Sequence, residues 1–197
     1  FIHQELPPGW EGYGYLFDFP DKFWELRQSI TRKVREKGWG PGGKLSEIEH
    51  LILIEEGSYY GVPGLSISNF GAILAKYYGT EEQKKRFLPI FTEGDITFCG
   101  LGLSEPNAGS DLASLQTRAV RDGDNYIING QKTWQTDAHH AEWTCLLART
   151  NPNVPKHRGL SMFLVDMKTP GITLQLVRNC YRDEIFADVF YDNVRVP

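Results

Sequence analysis

The chain has 197 residues, of which 41% are hydrophobic and 20 are glycine, and this composition is typical of an ordinary globular protein of one or two domains. Its formal net charge of −4 argues against a nucleic-acid binder, because phosphate binding needs a concentrated positive surface. No uninterrupted apolar run approaches the roughly 20 residues that a membrane-spanning helix requires.

The first half of the chain has helical spacing. Residues 1–6 read as the end of a helix, and without an initial methionine we expect further residues upstream; residues 7–19 are expected to form an ordered loop. A long helix is predicted from Pro20, which suits a first helical turn, to Gly38, which suits a helix end. Residues 40–43 (GPGG) then interrupt the helical pattern. The apolar face of this helix is predicted to be Phe23, Leu26, Ile30 and Val34.

Two capping boxes predict the starts of two later helices, because each pairs a serine or threonine with a glutamate or glutamine three residues on. Ser46 and Glu49 begin a helix that carries Ile48, Leu51 and Ile52. Gly57 is expected to end it. Thr80 and Gln83 begin the other helix.

A further helix is predicted between these two, over residues 69–78, with Gly79 as its stop. The helix that follows the second capping box is predicted over residues 81–88. Pro89 is expected to end or kink that helix, because proline lacks the amide hydrogen that an interior helical position needs.

Beyond Gly94, helical spacing gives way to short runs rich in β-branched and aromatic residues. Asp122-Gly123-Asp124 separates two of these runs and has the composition of a hairpin turn. Strands this close together leave no room for crossover helices, so the sheet is expected to be mostly antiparallel. The predicted strands are residues 97–103, 117–121, 126–128, 143–148, 160–165, 172–177 and 187–191.

The order of these elements predicts an α+β fold. An N-terminal α-helical domain is expected over residues 1–95. A small, mostly antiparallel β-barrel-like domain is expected over residues 96–197.

Two stretches in the β-rich half carry the residues most suited to a ligand: residues 101–111 (LGLSEPNAGSD) and residues 129–137 (NGQKTWQTD). The first has the composition of a tight turn at a strand end, in which Pro106 prevents a helix and Gly109 lets backbone approach a ligand closely. Trp134 offers a flat apolar face. Hydroxyls that can donate to an electron-rich ring are supplied by Ser104, Ser110 and Thr136.

These stretches resemble the acyl-CoA dehydrogenase family, whose middle domain carries [ST]-E-P-x-A-G-S-D followed by N-G-x-K-x-W-x-[ST]. A weaker resemblance extends over most of the chain, as far as residues 193–197. The family's C-terminal helical domain, which carries its catalytic glutamate, is absent from this sequence, so no catalytic base is assigned. The matching residues are Ser104, Glu105, Pro106, Ala108, Gly109, Ser110, Asp111, Asn129, Gly130, Lys132, Trp134 and Thr136.

The resemblance implies a site for FAD and acyl-CoA. It implies that Ser104 donates to the N1/O2 edge of the flavin, that Thr136 donates near N5, and that Trp134 covers one face of the ring. Ser110 would lie near the acyl-CoA as well. The full implied cofactor-binding set is Leu101, Leu103, Ser104, Gly109, Ser110, Trp134 and Thr136. Taken singly, Ser104 and Ser110 also suit a turn and Trp134 suits a core.

The same resemblance implies α,β-dehydrogenation of an acyl-CoA thioester, with electrons passed to an electron-transfer flavoprotein. Members assemble as homodimers or homotetramers, in the bacterial cytoplasm or the mitochondrial matrix. Two alternatives stay open: a flavin monooxygenase or oxidase on the same scaffold, and a non-catalytic subunit of a heteromeric acyl-CoA dehydrogenase. The acyl group is left open, partly because Gln135 stands where the family often has an aliphatic or small residue.

Two other nucleotide sites are excluded by the sequence. Gly100-x-Gly102 follows a predicted strand, as in a dinucleotide-binding fingerprint, but Glu105 occupies the third glycine position and Pro106 blocks the helix that should follow. The sequence contains no phosphate-binding Gly-x-x-x-x-Gly-Lys-[Ser/Thr] loop.

The remaining chemically distinctive residues are expected to be structural. Glu105 and Asp111 are predicted to stabilise the turn through local hydrogen bonds to backbone amides. His139 and His140 are adjacent, and adjacent side chains point apart in a strand or a helix. Because no further ligand is spaced as a zinc site needs, no metal site is predicted, and the two histidines are expected in a loop near the flavin. The odd number of cysteines, without Cys-x-x-Cys spacing, predicts buried thiols rather than disulfides: Cys99, Cys145 and Cys180.

Overall fold

The structure, a computed structural model, describes residues 2–8, 10, 20–40, 44–62, 70–92, 99–180 and 184–197. It forms two compact units, residues 1–97 and 98–197, which are described separately. Within the described ranges, no helix combines the length and apolar character needed to span a membrane. Several predicted features lie outside the described residues. They are most of the loop over 7–19, the side chain of Phe23, residues 41–43 of the GPGG segment, Asn69, and the first two residues of the strand predicted over 97–103.

The first unit is helical in its described parts. A short helix lies in the N-terminal segment that was predicted to be helical, and four longer helices follow it among the described residues. The helices are α1 (Ile2–Glu5), α2 (Pro20–Glu36), α3 (Glu47–Tyr59), α4 (Phe70–Tyr78) and α5 (Glu81–Thr92).

Helix α2 begins at Pro20 and is closed by Gly38, as predicted. Gly38 has a φ of 73°, which glycine tolerates without steric cost, and its amide donates to the Arg35 carbonyl at 2.7 Å. On the predicted apolar face, Ile30 and Val34 are buried and pack with Val62. Half-buried residues around this small core are Leu6, Leu26, Trp39, Leu53 and Tyr60.

Both predicted capping boxes are present. The Glu49 amide donates to Ser46 Oγ at 3.3 Å while the Ser46 amide donates to Glu49 Oε2 at 2.8 Å. Thr80 and Gln83 make the corresponding pair at 2.9 and 3.2 Å. Each box begins its helix where the sequence predicted, because the bonds involve residues only three positions apart.

Gly57 does not end α3, contrary to the prediction. The helix continues to Tyr59 and Gly57 is buried inside it. The glycine that adopts the left-handed conformation is Gly61, with a φ of 62°. Gly57 is therefore a buried position inside the helix rather than its end, and composition alone does not distinguish these two placements of glycine.

Pro89 does not end α5 either, since the helix runs to Thr92 with the proline inside it, and a kink at Pro89 stays a prediction. The last turn is held by side chains. Phe91 has no exposed surface, and Thr92 Oγ1 donates to the Leu88 carbonyl at 2.8 Å. Burial of the Phe91 ring outweighs the backbone hydrogen bond that proline forgoes. Helix α4 covers 70–78 as predicted, with Gly79 next to it.

The second unit is a curled, mixed half-barrel of seven strands in the order β1-β4-β2-β3-β7-β6, with β5 paired to β4. Four strand pairs are antiparallel, while β1–β4 and the short β2–β4 contact are parallel. The prediction of a mostly antiparallel sheet in an α+β fold is confirmed. The strands are β1 (Cys99–Gly102), β2 (Arg118–Asp122), β3 (Asn125–Thr136), β4 (Trp143–Arg149), β5 (Leu160–Asp166), β6 (Ile172–Val177) and β7 (Phe186–Val196).

The hairpin between β2 and β3 forms as predicted. Asp122 pairs with Asn125, which leaves a two-residue loop in which Gly123 has a φ of 62°. Strand β3 is much longer than the predicted 126–128, because it continues through residues 129–136 of the NGQKTWQTD stretch and ends at Thr136. The core beneath the sheet consists of Ala119, Ile128, Ala138, Leu146, Ala148, Val165, Ala187, Val189, Tyr191, Val194 and Val196.

Candidate functional site

The stretch after β1 is a tight turn, as predicted. Glu105 and Ala108 exchange backbone hydrogen bonds of 3.0 and 3.1 Å, so the chain reverses over Pro106 and its neighbour. Ala108 is buried, whereas Gly109 and Ser110 are exposed beyond it. A Cβ built on Gly109 would have no neighbouring heavy atom of the described structure within 4 Å. Protein packing therefore does not explain the glycine, and the space beside it is open.

Glu105 binds backbone amides, but not those of its own turn. Its carboxylate accepts from the Gln116 amide at 2.6 Å and the Thr117 amide at 2.8 Å. Burial raises the pKa of Glu105, but the hydrogen bonds from Thr117, Gln116 and Lys132 together hold that pKa below its ordinary value. Glu105 is therefore an ionised carboxylate that attaches the turn to the start of β2.

Lys132 is the buried partner of Glu105. Its side chain has no exposed surface, and Nζ donates to Glu105 Oε1 and to the Leu103 carbonyl, both at 2.9 Å. Burial lowers the pKa of Lys132, and the adjacent Glu105 carboxylate opposes that change. In the sequence, Lys132 stands out only as a motif position. The sequence feature that could have indicated its role is a lysine at an inward-facing strand position, because a buried lysine needs an anionic partner.

Acid is expected to destabilise this unit partly through Glu105. Because the folded-state pKa lies below the ordinary 4.5, the ionised carboxylate stabilises the fold above that value, and this stability is lost as the pH falls through the folded-state pKa. The lowered pKa of Lys132 acts only on the alkaline side. Urea unfolding between pH 6 and pH 3 should show a smaller loss in Glu105→Gln/Lys132→Met than in the wild type, and equal losses would contradict the assignment.

Trp134 lies in a β-bulge between β3 and β7. Lys132 pairs with Val189 and Gln135 with Ala187, so two residues of β3 oppose one residue of β7. Trp134 has a φ of 58°, a left-handed conformation that is costly for a bulky residue. As a result Lys132 and Gln135, three positions apart, are both buried, whereas Trp134 turns outward and is 60% exposed.

The bulge brings two of the predicted site segments together. The Thr133 amide donates to the Ser104 carbonyl at 2.9 Å, so Ser104 lies beside the residue that precedes Trp134. Thr136 is exposed two residues further on and pairs with Phe186, whose ring meets the indole edge-on at 5.7 Å between centroids. Leu101 and Leu103 are half-buried just before the turn.

Gln135 faces the interior rather than the ligand side. Its Nε2 donates to Thr144 Oγ1 at 3.2 Å. A Cβ on Gly100 would lie 2.8 Å from the same nitrogen, and a Cβ on Gly102 would lie 3.1 Å from Leu146. The Gly-x-Gly pair therefore provides room for core side chains. A turn follows it instead of a helix, in agreement with the rejection of a dinucleotide fingerprint.

The carboxylate of Asp111 binds side chains rather than backbone amides, contrary to the prediction. Both of its carboxylate oxygens accept from Lys156 Nζ at 2.7 Å, and Ser114 Oγ donates to one of them. The hydrogen bond from Lys156, followed by that from Ser114, lowers the pKa of Asp111. The sequence missed this partner because it lies 45 residues away along the chain.

Arg149 binds the segment that follows Asp111 and the loop that carries Lys156, and the sequence motifs did not indicate this role. Its guanidinium donates to the carbonyls of Ala113 at 2.5 Å, Leu115 at 3.2 Å and Lys156 at 3.2 Å. One side chain thus satisfies three backbone acceptors and joins the segment after the turn to the loop after β4.

Two expectations about histidine and cysteine need correction. The rings of His139 and His140 do not point apart, because a short 3-10 helix brings their centroids to 3.9 Å. Cys180 is exposed rather than buried. Cys99 and Cys145 are buried as predicted, with sulfurs 3.8 Å apart, and this contact and burial raise the pKa of Cys145. In the described ranges, no group of three or more histidine, cysteine or carboxylate side chains is arranged to hold a metal ion.

Gly130 of the second stretch is required by packing. Its φ is 155°, and a Cβ would lie 2.4 Å from Thr117 Oγ1 and 2.6 Å from Thr117 Cα. Gly130→Ala is therefore expected to lower the free energy of unfolding by about 1–3 kcal/mol through overpacking. Urea denaturation followed by circular dichroism measures it. Gly109→Ala, in open space, is the matched control and should change little; similar losses in both variants would contradict the packing argument.

Two family models match this chain. The acyl-CoA dehydrogenase middle domain matches residues 100–194, and the acyl-CoA dehydrogenase N-terminal domain matches residues 31–95. The chain belongs to the acyl-CoA dehydrogenase family. The N-terminal model covers the helices from the last part of α2 to α5, and the middle-domain model covers the sheet with its turn and bulge.

Similar proteins agree with this assignment. Acyl-CoA dehydrogenase FadE34 of Mycobacterium tuberculosis is 45% identical over 158 residues, covering 79% of this chain and 22% of that protein. The ChsE4-ChsE5 complex from Mycobacterium tuberculosis matches with a TM-score of 0.75 and 35% identity, covering 90% of this chain and 49% of that chain. A glutaryl-CoA dehydrogenase from Mycobacterium smegmatis in complex with FADH2 matches with a TM-score of 0.68 and 26% identity, covering 99% and 55%. The chain thus spans about half, or less, of the relatives it matches.

The motif residues of this acyl-CoA dehydrogenase chain fall into two groups. Glu105, Ala108 and Lys132 are buried and hold the turn and β3 together. The other group points outward: Ser104 is half-buried, and Gly109, Ser110, Trp134 and Thr136 are exposed. Hydroxyl donors, an exposed indole and an open glycine suit a ligand that combines a flat ring with a polar edge, and FAD is such a ligand.

Proposed function

We propose that the full-length protein is an FAD-dependent acyl-CoA dehydrogenase, in the cytoplasm or, in a eukaryote, the mitochondrial matrix. It would oxidise the α,β carbon–carbon bond of an acyl-CoA thioester and pass the electrons to an electron-transfer flavoprotein. The observation that carries this proposal is the bulge at Trp134. A tryptophan that is 60% exposed at a φ of 58° gains little from folding, and such strain is typical of functional sites.

The residues that would hold FAD are the outward group. Ser104 would donate to the N1/O2 edge and Thr136 near N5, while Trp134 covers one face of the ring. The backbone of Leu101 and Leu103 would line the ring, and Gly109 would let the chain approach the cofactor. Ser110 would face the acyl-CoA. FAD, when bound, supplies the acceptor for a hydride equivalent.

The chain's own contribution is electrostatic and geometric. Hydroxyls directed at positions where negative charge develops stabilise that charge without reorganisation, and here Ser104 is already held through its carbonyl by the Thr133 amide. Lys132 fixes the Leu103 carbonyl from inside the unit. Trp134 keeps water from the covered face. None of these residues is proposed as the base that abstracts the α-proton.

The test uses the full-length protein, purified and reconstituted with FAD. We expect a yellow protein whose flavin absorbance near 450 nm is bleached by an acyl-CoA under anaerobic conditions. Trp134→Ala should weaken FAD binding. A protein that binds no FAD would refute the proposal. Rapid peroxide formation in air without acyl-CoA bleaching would instead indicate a flavin oxidase or monooxygenase.

A homodimer or homotetramer is the expected assembly, and a heteromer is the second candidate. The similarity to the ChsE4-ChsE5 complex favours this second candidate. In a heteromer this chain would either bind flavin or shape its partner's site. Activity and full flavin content in a homo-oligomer of the purified protein would exclude the non-catalytic role.

A further inference from the structure

The bulge at Trp134 must be held by its neighbours, since its left-handed backbone is unfavourable for a tryptophan. Thr133 and Trp134 together oppose a single residue of β7, which is Asp188. The strand partner of the bulge is therefore a carboxylate rather than an apolar or neutral residue.

Both oxygens of Asp188 are used by β3. Thr133 Oγ1 donates to Oδ1 in a short hydrogen bond, and Gln131 Nε2 donates to Oδ2 at 3.3 Å. Gln131 and Thr133 precede Trp134 on the same strand, and all three polar side chains are half-buried. Hydrogen bonds to a charged acceptor are roughly twice as strong as neutral ones, so the carboxylate is an effective anchor.

Thr133 connects this anchor to the turn. Its hydroxyl is bound by Asp188 while its amide donates to the Ser104 carbonyl at 2.9 Å. The next residue is Trp134, whose indole meets Phe186 of β7 edge-on at 5.7 Å. Loss of the Asp188 carboxylate would therefore release Thr133, and a shift of Thr133 would displace both Ser104 and Trp134.

We propose that Asp188 is a positioning residue for the flavin site: it holds Thr133 so that the Trp134 indole and the Ser104 hydroxyl keep the relative placement that the ring requires. This inference rests on the proposed function. Asp188 itself does not touch the cofactor in this proposal; it acts through Thr133. Asp188 lies outside both motifs, and Thr133 occupies a variable position of the second motif, between Lys132 and Trp134.

The experiment compares four variants of the full-length protein. Asp188→Ala removes both acceptors, and Thr133→Val removes the donor with little change in shape. Asp188→Asn retains an acceptor oxygen for the Thr133 hydroxyl and is the conservative rescue. Val189→Ala is the matched control, because Val189 is a fully buried core residue next to Asp188 whose truncation lowers stability without removing either hydrogen bond that Asp188 accepts.

Two readouts separate positioning from stability. FAD affinity is measured by fluorescence titration, where Asp188→Ala and Thr133→Val are each expected to bind about tenfold more weakly and Asp188→Asn to stay close to the wild type. The Trp134 environment is measured in the flavin-free protein by fluorine NMR of 5-fluorotryptophan, with Trp134→Phe assigning the resonance. That resonance should shift or broaden in Asp188→Ala and remain in place in Val189→Ala.

The outcomes are distinguishable. Normal FAD affinity in Asp188→Ala, or an equal loss in Val189→Ala, would overturn the positioning role while leaving the proposed function intact. An unmoved Trp134 resonance in Asp188→Ala would overturn it as well. A wild-type protein that binds no FAD would overturn the proposed function and this inference together.

Discussion

Replacing Lys132 with methionine is expected to lower the free energy of unfolding by about 3–5 kcal/mol, the usual cost of removing one partner from a buried ion pair. Methionine fills most of the lysine's volume, so the loss comes from charge. The Glu105 carboxylate stays in the interior without its cation, and the Leu103 carbonyl loses its 2.9 Å donor. Urea unfolding monitored by circular dichroism measures the change.

The double variant Glu105→Gln/Lys132→Met separates burial of a lone charge from loss of packing. It should recover much of the stability, because no uncompensated charge remains and glutamine can still accept an amide hydrogen bond. Lys84→Met breaks the exposed pair with Glu81 and should have almost no effect. A Lys132→Met variant as stable as Lys84→Met would show that the buried pair does not stabilise the sheet.

Replacing Phe91 with alanine is expected to destabilise the helical unit by about 3–5 kcal/mol, the usual cost of truncating a buried phenylalanine. The Phe91 ring has no exposed surface, and its edge lies so close to Gly71 that a Cβ there would be 2.5 Å from the ring. Removing the ring leaves a cavity between α4 and α5. It also removes the burial that carries α5 past Pro89, so helical content should fall after that residue.

Thermal unfolding followed at 222 nm, with hydrogen exchange of the α5 amides, measures both effects. Tyr78→Ala removes an aromatic ring that is 81% exposed on α4 and should change stability by less than about 0.5 kcal/mol. Gly71→Ala should destabilise in the opposite way, by forcing a methyl group into the ring. If Phe91→Ala behaved like Tyr78→Ala, tight packing of α4 on α5 would be wrong.

The flavin roles of Ser104, Gly109, Ser110, Trp134 and Thr136 remain predictions from the resemblance. Their placement explains why the sequence pattern mixes two functions. Glu105 and Lys132 are as much part of the motif as Trp134, yet they are buried and hold backbone. A motif therefore marks which residues matter without distinguishing those that face a ligand from those that hold the segment in place.

The sequence by itself determined the elements whose hydrogen bonds join near neighbours. The capping boxes at Ser46 and Thr80 and the pair that closes the hairpin at Gly123 each join residues three positions apart, so local residue types decide them. The family also followed from sequence, because its two motifs are long and ordered.

Only the tertiary structure decided the interactions between distant residues. Lys132 binds Glu105, which lies 27 positions away in the sequence, and Asp188 binds Thr133, which lies 55 positions away. Both depend on strand register, and the bulge at Trp134 shifts that register by one residue, which reverses the inward and outward sides from that point. Residue types alone do not specify where such a shift falls, because it is set by the fit of two strands to each other.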